Sequence, residues 1–246
     1  MVDADILAYY SRGLERDRLA SGARRIEFLR IWDLLERFLP PAPARVLDVG
    51  GGAGAYAIPL AAAGYQVHLI DPVPLHVEQA AAASAAAAAP LASVCLGDAR
   101  ELAAADGGAD AVLLLGPLYH LMDRADRVTA LREARRVLRP GGIVVAKALS
   151  RFYPVFESLA KGLSAEFTTA YFHRPEELPC EVADAGLELR AYVAGSGIVK
   201  LLPGVPELLE SADGRDHVLG VLRLLEAEPS LIGMSQNFIA IAEVSK

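Results

Sequence analysis

Four side chains able to hold or move charge stand at the ends of apolar runs in this chain: Asp48, Asp71, Asp98 and His120. Asp48 closes the run Val46-Leu47 and lies two residues before a loop that is almost all glycine, Gly50-Gly51-Gly52-Ala53-Gly54. Glycines there let the main chain turn sharply and approach a ligand with no Cβ in the way. Ala55-Tyr56-Ala57-Ile58-Pro59-Leu60-Ala61 then reads as a helix start, whose exposed N–H groups and dipole favour an anionic group. Strand, glycine loop and helix make a cofactor site. Asp71 ends Gln66-Val67-His68-Leu69-Ile70 and Asp98 follows Ser93-Val94-Cys95-Leu96-Gly97. An acid at the end of the second strand of such a unit accepts from ribose hydroxyls. Asp98 offers a further acceptor for an adenine amine.

His120 lies just beyond the apolar run Ala111-Val112-Leu113-Leu114-Leu115. Ligands sit at the carboxyl ends of parallel strands in α/β sheets, and imidazole titrates near neutrality. His120 is therefore the candidate general base, the alternative being a histidine bonded to a backbone carbonyl. Tyr119 beside it either orients a substrate or packs. Each acid also has a plainer reading: Asp48 could cap the following turn, Asp71 before Pro72 is a good turn residue, and Asp98 could cap a helix over 99–104. No carboxylates and histidines recur at metal-ligand spacing.

The elements that must position these groups alternate between strand and helix. Ile26, Leu29, Trp32, Leu35 and Leu39 recur at helical spacing until Pro40-Pro41 stops the helix. Strands follow near 45–49, 66–70, 93–96 and 111–115, the last an unbroken apolar run suited to a strand buried on both faces. A helix with Val128, Leu131, Arg135 and Leu138 in step ends at Pro140-Gly141-Gly142, and Ile143-Val144-Val145-Ala146 is a fifth strand. Short connections of this kind predict a parallel sheet covered by helices on both faces. From about 150 the rhythm changes. A helix-and-loop insertion over 151–174 carries Phe152, Tyr153, Phe156, Phe167, Tyr171 and Phe172; a helix covers 175–186 and a strand 187–194; a second insertion runs over 195–233; and Phe238-Ile239-Ala240-Ile241-Ala242 is the last strand. Nothing divides the 246 residues into two domains.

The loop fits two templates. Gly50 to Ala55 satisfies G-x-G-x-x-A with Asp71 21 residues after Gly50, the dinucleotide fingerprint. Taken with Asp48, with Gly97-Asp98-Ala99, with Asp110 to Leu121 and with Leu138-Arg139-Pro140-Gly141-Gly142, the stretch over 44–150 resembles the class I S-adenosylmethionine-dependent methyltransferases. That resemblance implies a Rossmann-like three-layer sandwich, with a mostly parallel seven-stranded sheet whose last strand is antiparallel, plus N-terminal helices and helical insertions. It implies S-adenosyl-L-methionine as cofactor. Gly50, Gly51, Gly52 and Gly54 would lie against its methionyl part and Asp48 near its ammonium; Asp71 and Pro72 would lie at the ribose, Asp98 and Ala99 at the adenine, and Gly116 would border the same site. It implies too that residues 1–40 fold over the cofactor as a helical lid, bringing Tyr10 to the sulfonium or the acceptor. Tyr9, Glu15 and Arg18 share that segment. Arg25 and Arg30 either meet the cofactor's carboxylate or form surface ion pairs. Tyr119, Phe152 and Tyr171 are the candidate acceptor contacts, and the two insertions are expected to shape that site.

The expected activity is methyl transfer to an O or N atom of a small molecule by direct displacement. The alternatives are a nicotinamide-dependent oxidoreductase on the same glycine loop and a non-catalytic S-adenosylmethionine-binding protein. A net charge of −7 argues against a nucleic-acid partner. Two unspaced cysteines, the absence of a signal-peptide pattern and of a membrane-spanning run point to a cytoplasmic protein off the membrane, a monomer or homodimer.

Overall fold

A computed structural model describes residues 4–11, 25–161 and 169–245. Glu15, Arg18 and Phe167 lie outside the described residues. The chain opens on α1 (Ala4–Tyr10) and α2 (Arg25–Phe38), then alternates β1 (Arg45–Val49), α3 (Ala57–Ala62), β2 (Gln66–Asp71), α4 (Pro74–Ala86), β3 (Ser93–Leu96) and β4 (Ala109–Leu114). A 3₁₀ turn (Pro117–His120) leads to α5 (Arg124–Val137) and the long β5 (Leu138–Ser150). Then follow α6 (Tyr153–Lys161), β6 (Phe172–His173), α7 (Glu177–Asp184), β7 (Glu188–Ala194), α8 (Val205–Leu208), α9 (Ala212–Leu225), α10 (Pro229–Ile232) and β8 (Asn237–Glu243).

The strands form one sheet in the order β3-β2-β1-β4-β5-β8-β7, with the two-residue β6 paired to β5 off that path. Pairings from β3 to β5 are parallel, and β8 runs antiparallel to both β5 and β7. This is the expected architecture, with β6 as one strand more than expected. The order reverses at β1, which lies between β2 and β4. Both loops leaving β1 and β4 therefore open at the same edge of the sheet, where α/β folds hold ligands.

Side chains alternate across the sheet, so successive residues of a strand enter opposite cores. Leu47, Val112, Val144 and Phe238 face the layer containing Leu131 of α5 and Leu178 of α7. Val46, Ala111, Val145 and Ile239 face the layer of Leu34 of α2 and Leu60 of α3. A third, smaller core joins Ile26 of α2 to Val205, Val218 and Leu222. The stretch 195–233 thus packs against α2.

Two expectations shift. Leu138 to Gly142 does not simply end a helix: it is already strand, with Leu138 paired to Ala109 before the register slips at Ala111. Pro140 cannot donate to the ladder, and Gly141 takes φ +75° so that its N–H reaches the Val244 carbonyl. No helix forms over 99–104, so Asp98 caps none; its Oδ1 instead accepts from the Arg100 amide two residues on, at 2.9 Å.

Candidate active site

The carboxyl ends of β1, β2, β3 and β4 surround a cavity of about 290 Å³, and β5 contributes Lys147. The glycine loop forms one wall. Gly50 has φ +71° and Gly52 φ +59°, conformations that glycine adopts at little cost. A Cβ on Gly50 would stand 2.8 Å from Pro117, so the loops of β1 and β4 touch here because that position has no side chain. A Cβ on Gly51 would stand 2.7 Å from Asp48 Oδ2. Gly52 faces open space, and its amide donates to Asp71 Oδ2 at 2.8 Å. Gly54 does not line the cavity; at φ +92° it turns the chain into α3.

Asp48 and Asp71 are both buried at this wall. Asp71 Oδ1 accepts from the Val73 amide at 2.9 Å and stands 3.0 Å from His76 Nδ1. Asp48 Oδ2 has no hydrogen-bond partner among the described residues. Burial first, then the charge of Asp71, pushes the Asp48 carboxyl up to about 7. An acid so placed fits a cationic group brought against the loop and disfavours a pyrophosphate. The ammonium and sulfonium of S-adenosylmethionine meet that requirement; a dinucleotide does not. Asp98 lines the far end, but both its oxygens accept from Arg100, whose guanidinium also reaches Asp126 at 2.6 Å. The Arg100 hydrogen bonds hold the Asp98 carboxyl below its ordinary value. Pro72, Ala99 and Gly116 complete this part of the lining.

Across the cavity, α1 brings Tyr10 to His120. The Tyr10 hydroxyl lies 2.7 Å from His120 Nε2, and their rings meet edge to face with centroids 5.3 Å apart. His120 Nδ1 faces the Thr169 carbonyl at 3.4 Å. A carbonyl can only accept, so Nδ1 carries the hydrogen and Nε2 accepts from Tyr10. His120 thus meets Tyr10 through its basic nitrogen, and both residues line the cavity. Tyr119 lines it too, its ring 4.6 Å from that of His120.

The remaining acceptor candidates stand apart. Phe152 is 42% exposed and outside the cavity. Tyr171 lies behind the β4 loop, where the Arg127 guanidinium covers its ring at 3.7 Å and its hydroxyl donates to Glu177. Among the described residues, nothing in 151–174 or 195–233 lines the cavity. Neither does Arg25 or Arg30. Arg25 pairs with Glu210 at 3.6 Å; Arg30 is buried, bonded to Asp33 at 2.6 Å and Glu226 at 2.5 Å, tying α2 to the end of α9.

Sequence reasoning missed three parts of the site. His76 holds Asp71, five residues from it on the first turn of α4. Lys147 enters from the middle of an apolar strand. Arg127, Glu181 and His173 form a fully buried network: Arg127 donates to Glu181 and to the carbonyls of Leu121 and Met122, and His173 Nε2 lies 3.2 Å from Glu181. Burial alone would raise the Glu181 carboxyl, but these hydrogen bonds outweigh it and hold the group low. The network fixes the turn that carries His120.

A family model described as a methyltransferase domain matches residues 46–142. An uncharacterized methyltransferase of Mycobacterium tuberculosis is 36% identical over 110 residues, 45% of this chain and 42% of that protein. The chain thus spans less than half the length of the mycobacterial relatives it matches. A ubiquinone/menaquinone biosynthesis C-methyltransferase of Caulobacter vibrioides is 32% identical over 180 residues, 67% of this chain and 69% of that protein. Among solved structures, magnesium protoporphyrin IX methyltransferase from Synechocystis, with S-adenosylhomocysteine (SAH) bound, superposes with a TM-score of 0.63 at 17% identity, covering 99% of this chain and 100% of that one.

Proposed function

The chain belongs to the class I S-adenosylmethionine-dependent methyltransferases, and on that premise we propose that it transfers the methyl group to an O or N atom of a small molecule. The observation that carries this reading is the 2.7 Å contact between Tyr10 and His120 Nε2 across a cavity whose opposite wall is the glycine loop. Bound against that loop, the sulfonium supplies an electrophilic methyl group with its leaving group built in. The protein's part is alignment, exclusion of water and removal of a proton.

Asp71 would take the ribose, the Asp98–Ala99 end the adenine and Asp48 the ammonium. His120 takes the acceptor's proton: Tyr10 passes its hydroxyl hydrogen to Nε2 as it receives one from the acceptor. Helix α1, with Ile6 buried beneath it, serves as the lid over the reacting atoms. The Caulobacter relative is named for C-methylation; a neutral histidine bonded to a phenol is suited to a hydroxyl or amine, whose proton is polar and within reach. The acceptor is a small molecule in this reading, and no nucleic acid is involved.

Thermal shift tests the cofactor. At 100 times its dissociation constant a ligand adds about 2.7 kcal/mol, so SAH raises the melting temperature and NAD(H) leaves it unchanged. Stabilisation by NAD(H) alone would overturn the reading. For the base, His120→Ala lowers turnover by about 100-fold or more while SAH affinity holds; undiminished turnover would remove His120 from the reaction.

A further inference from the structure

Lys147 is one of two cations lining the cavity among the described residues, and the other, Arg100, is tied to Asp98 and Asp126 at the opposite end. Its side chain is 4% exposed, and Nζ donates to Glu27 of α2 at 2.8 Å. Glu27 does not line the cavity. The carboxylate thus grips the ammonium from behind while the lysine borders the open space. Nζ also stands 5.6 Å from the centre of the Tyr119 ring, the same ring that meets His120.

Burying such a pair is costly, and an apolar pair of similar size packs as well or better. The pair therefore contributes little that Leu and Met could not contribute to stability. What it adds is a positive charge inside an otherwise acidic protein. Its place along the sheet says what the charge is for. Asp48 lies in β1, Asp71 ends β2 and Asp98 follows β3, the side read above as the cofactor's. His120 follows β4 and Lys147 lies on β5, four strand spacings or roughly 19 Å from the β3 end. Lys147 thus belongs to the end of the cavity where the methyl acceptor has to lie.

We propose that Lys147 recognises a carboxylate on the methyl acceptor, so that the enzyme selects small acids whose reacting hydroxyl or amine is placed under Tyr10 and His120. This rests on the methyltransferase reading. The contact with Glu27 holds the Lys147 ammonium at this end of the cavity. The acceptor's carboxylate forms a charge-assisted bond with the ammonium and sets the distance from Lys147 to the atom that is methylated.

The test uses hydroxyaryl carboxylates of one and two rings, their carboxamides and the parent phenols. Each is titrated into the SAH complex and offered as an acceptor with labelled S-adenosylmethionine. In the wild type the acids bind about tenfold to hundredfold more tightly than their amides. Lys147→Met removes that preference and leaves SAH affinity unchanged; Lys147→Arg keeps it. Glu27→Gln, which frees the cation from its partner, strengthens the preference. Opposite signs for the two partners are what a purely structural ion pair does not give.

No carboxylate binding better than its amide, or an unchanged preference in Lys147→Met, overturns the proposal. A preference for parent phenols over acids moves the recognised group to a phenolate and overturns it as stated. Loss of SAH affinity in Lys147→Met assigns the lysine to the cofactor's own carboxylate and overturns it as well. If Lys147→Met does not fold, Glu27→Gln and Lys147→Arg decide alone. Failure of the wild type to bind SAH refutes the methyltransferase reading itself, whereas SAH binding without acid preference refutes only this assignment.

Discussion

The two halves of the cavity are built on different principles. The wall over β1–β3 is local: a glycine loop, Asp71 held by the amides of Gly52 and Val73, and Asp98 held by Arg100 two residues on. The wall over β4–β5 is assembled from afar. Tyr10 meets His120 across 110 positions of sequence, and Lys147 meets Glu27 across 120. The first wall recognises a fixed ligand, and main-chain geometry suffices. The second, in the proposed reading, suits the acceptor, and it is built from long side chains that meet across the fold. On that reading, cofactor chemistry is held in the backbone and acceptor chemistry in ion pairs and rings.

The largest effect expected of a single change falls on the second wall's foundation. Arg127→Met leaves Glu181 buried without its partner and should cost about 3–5 kcal/mol of stability by denaturant titration. Adding Glu181→Leu should recover much of that loss. If Arg127→Met alone is neutral, the network does not carry the β4 turn and the contrast weakens.

Next comes Gly50→Val, which joins backbone strain to a clash with Pro117. SAH affinity should fall about 100-fold or more. An unchanged affinity would mean that the loop is not held by its lack of side chains.

Asp48 gives the smallest effect and sharpens the comparison through pH. Its folded value, about 7, exceeds the ordinary 3.8, so the folded state favours the protonated form. The stability tied to this group is present below pH 4 and is lost as pH rises through about 7. Asp48→Asn should remove that slope and stabilise the ligand-free protein at pH 8 by on the order of 2 kcal/mol. A wild-type stability profile flat in this window, or one unchanged in the variant, would contradict it.

The same division decided what could be read from the sequence. Gly50, Asp48 and Asp71 announce themselves because each acts through neighbours in sequence or one strand away. The parallel α/β architecture was legible for the same reason, since apolar runs alternate with helices over short connections; the antiparallel last strand came through family resemblance. Asp98 was read correctly as a strand-end acid but not as Arg100's partner, since both orientations satisfy the same turn. His120 was singled out by its position after β4 and Tyr10 through family resemblance, and the structure brings the two together. Lys147, Glu27, His173 and Glu181 carried no signal. A lysine in an apolar strand, or an acid on an amphipathic helix, acquires its partner only when the chain has folded. Tyr171 misled because an aromatic beside a cavity and one supporting its wall look alike in sequence.

Whether the cofactor wall is separable from the acceptor wall is decided by titrating SAH calorimetrically into the wild type, Asp71→Asn and His120→Ala. The wild type should bind one equivalent. Asp71→Asn should bind about tenfold to hundredfold more weakly, and His120→Ala within about threefold of the wild type. A wild type that binds no SAH, or variants whose affinities fall in the reverse order, would contradict it.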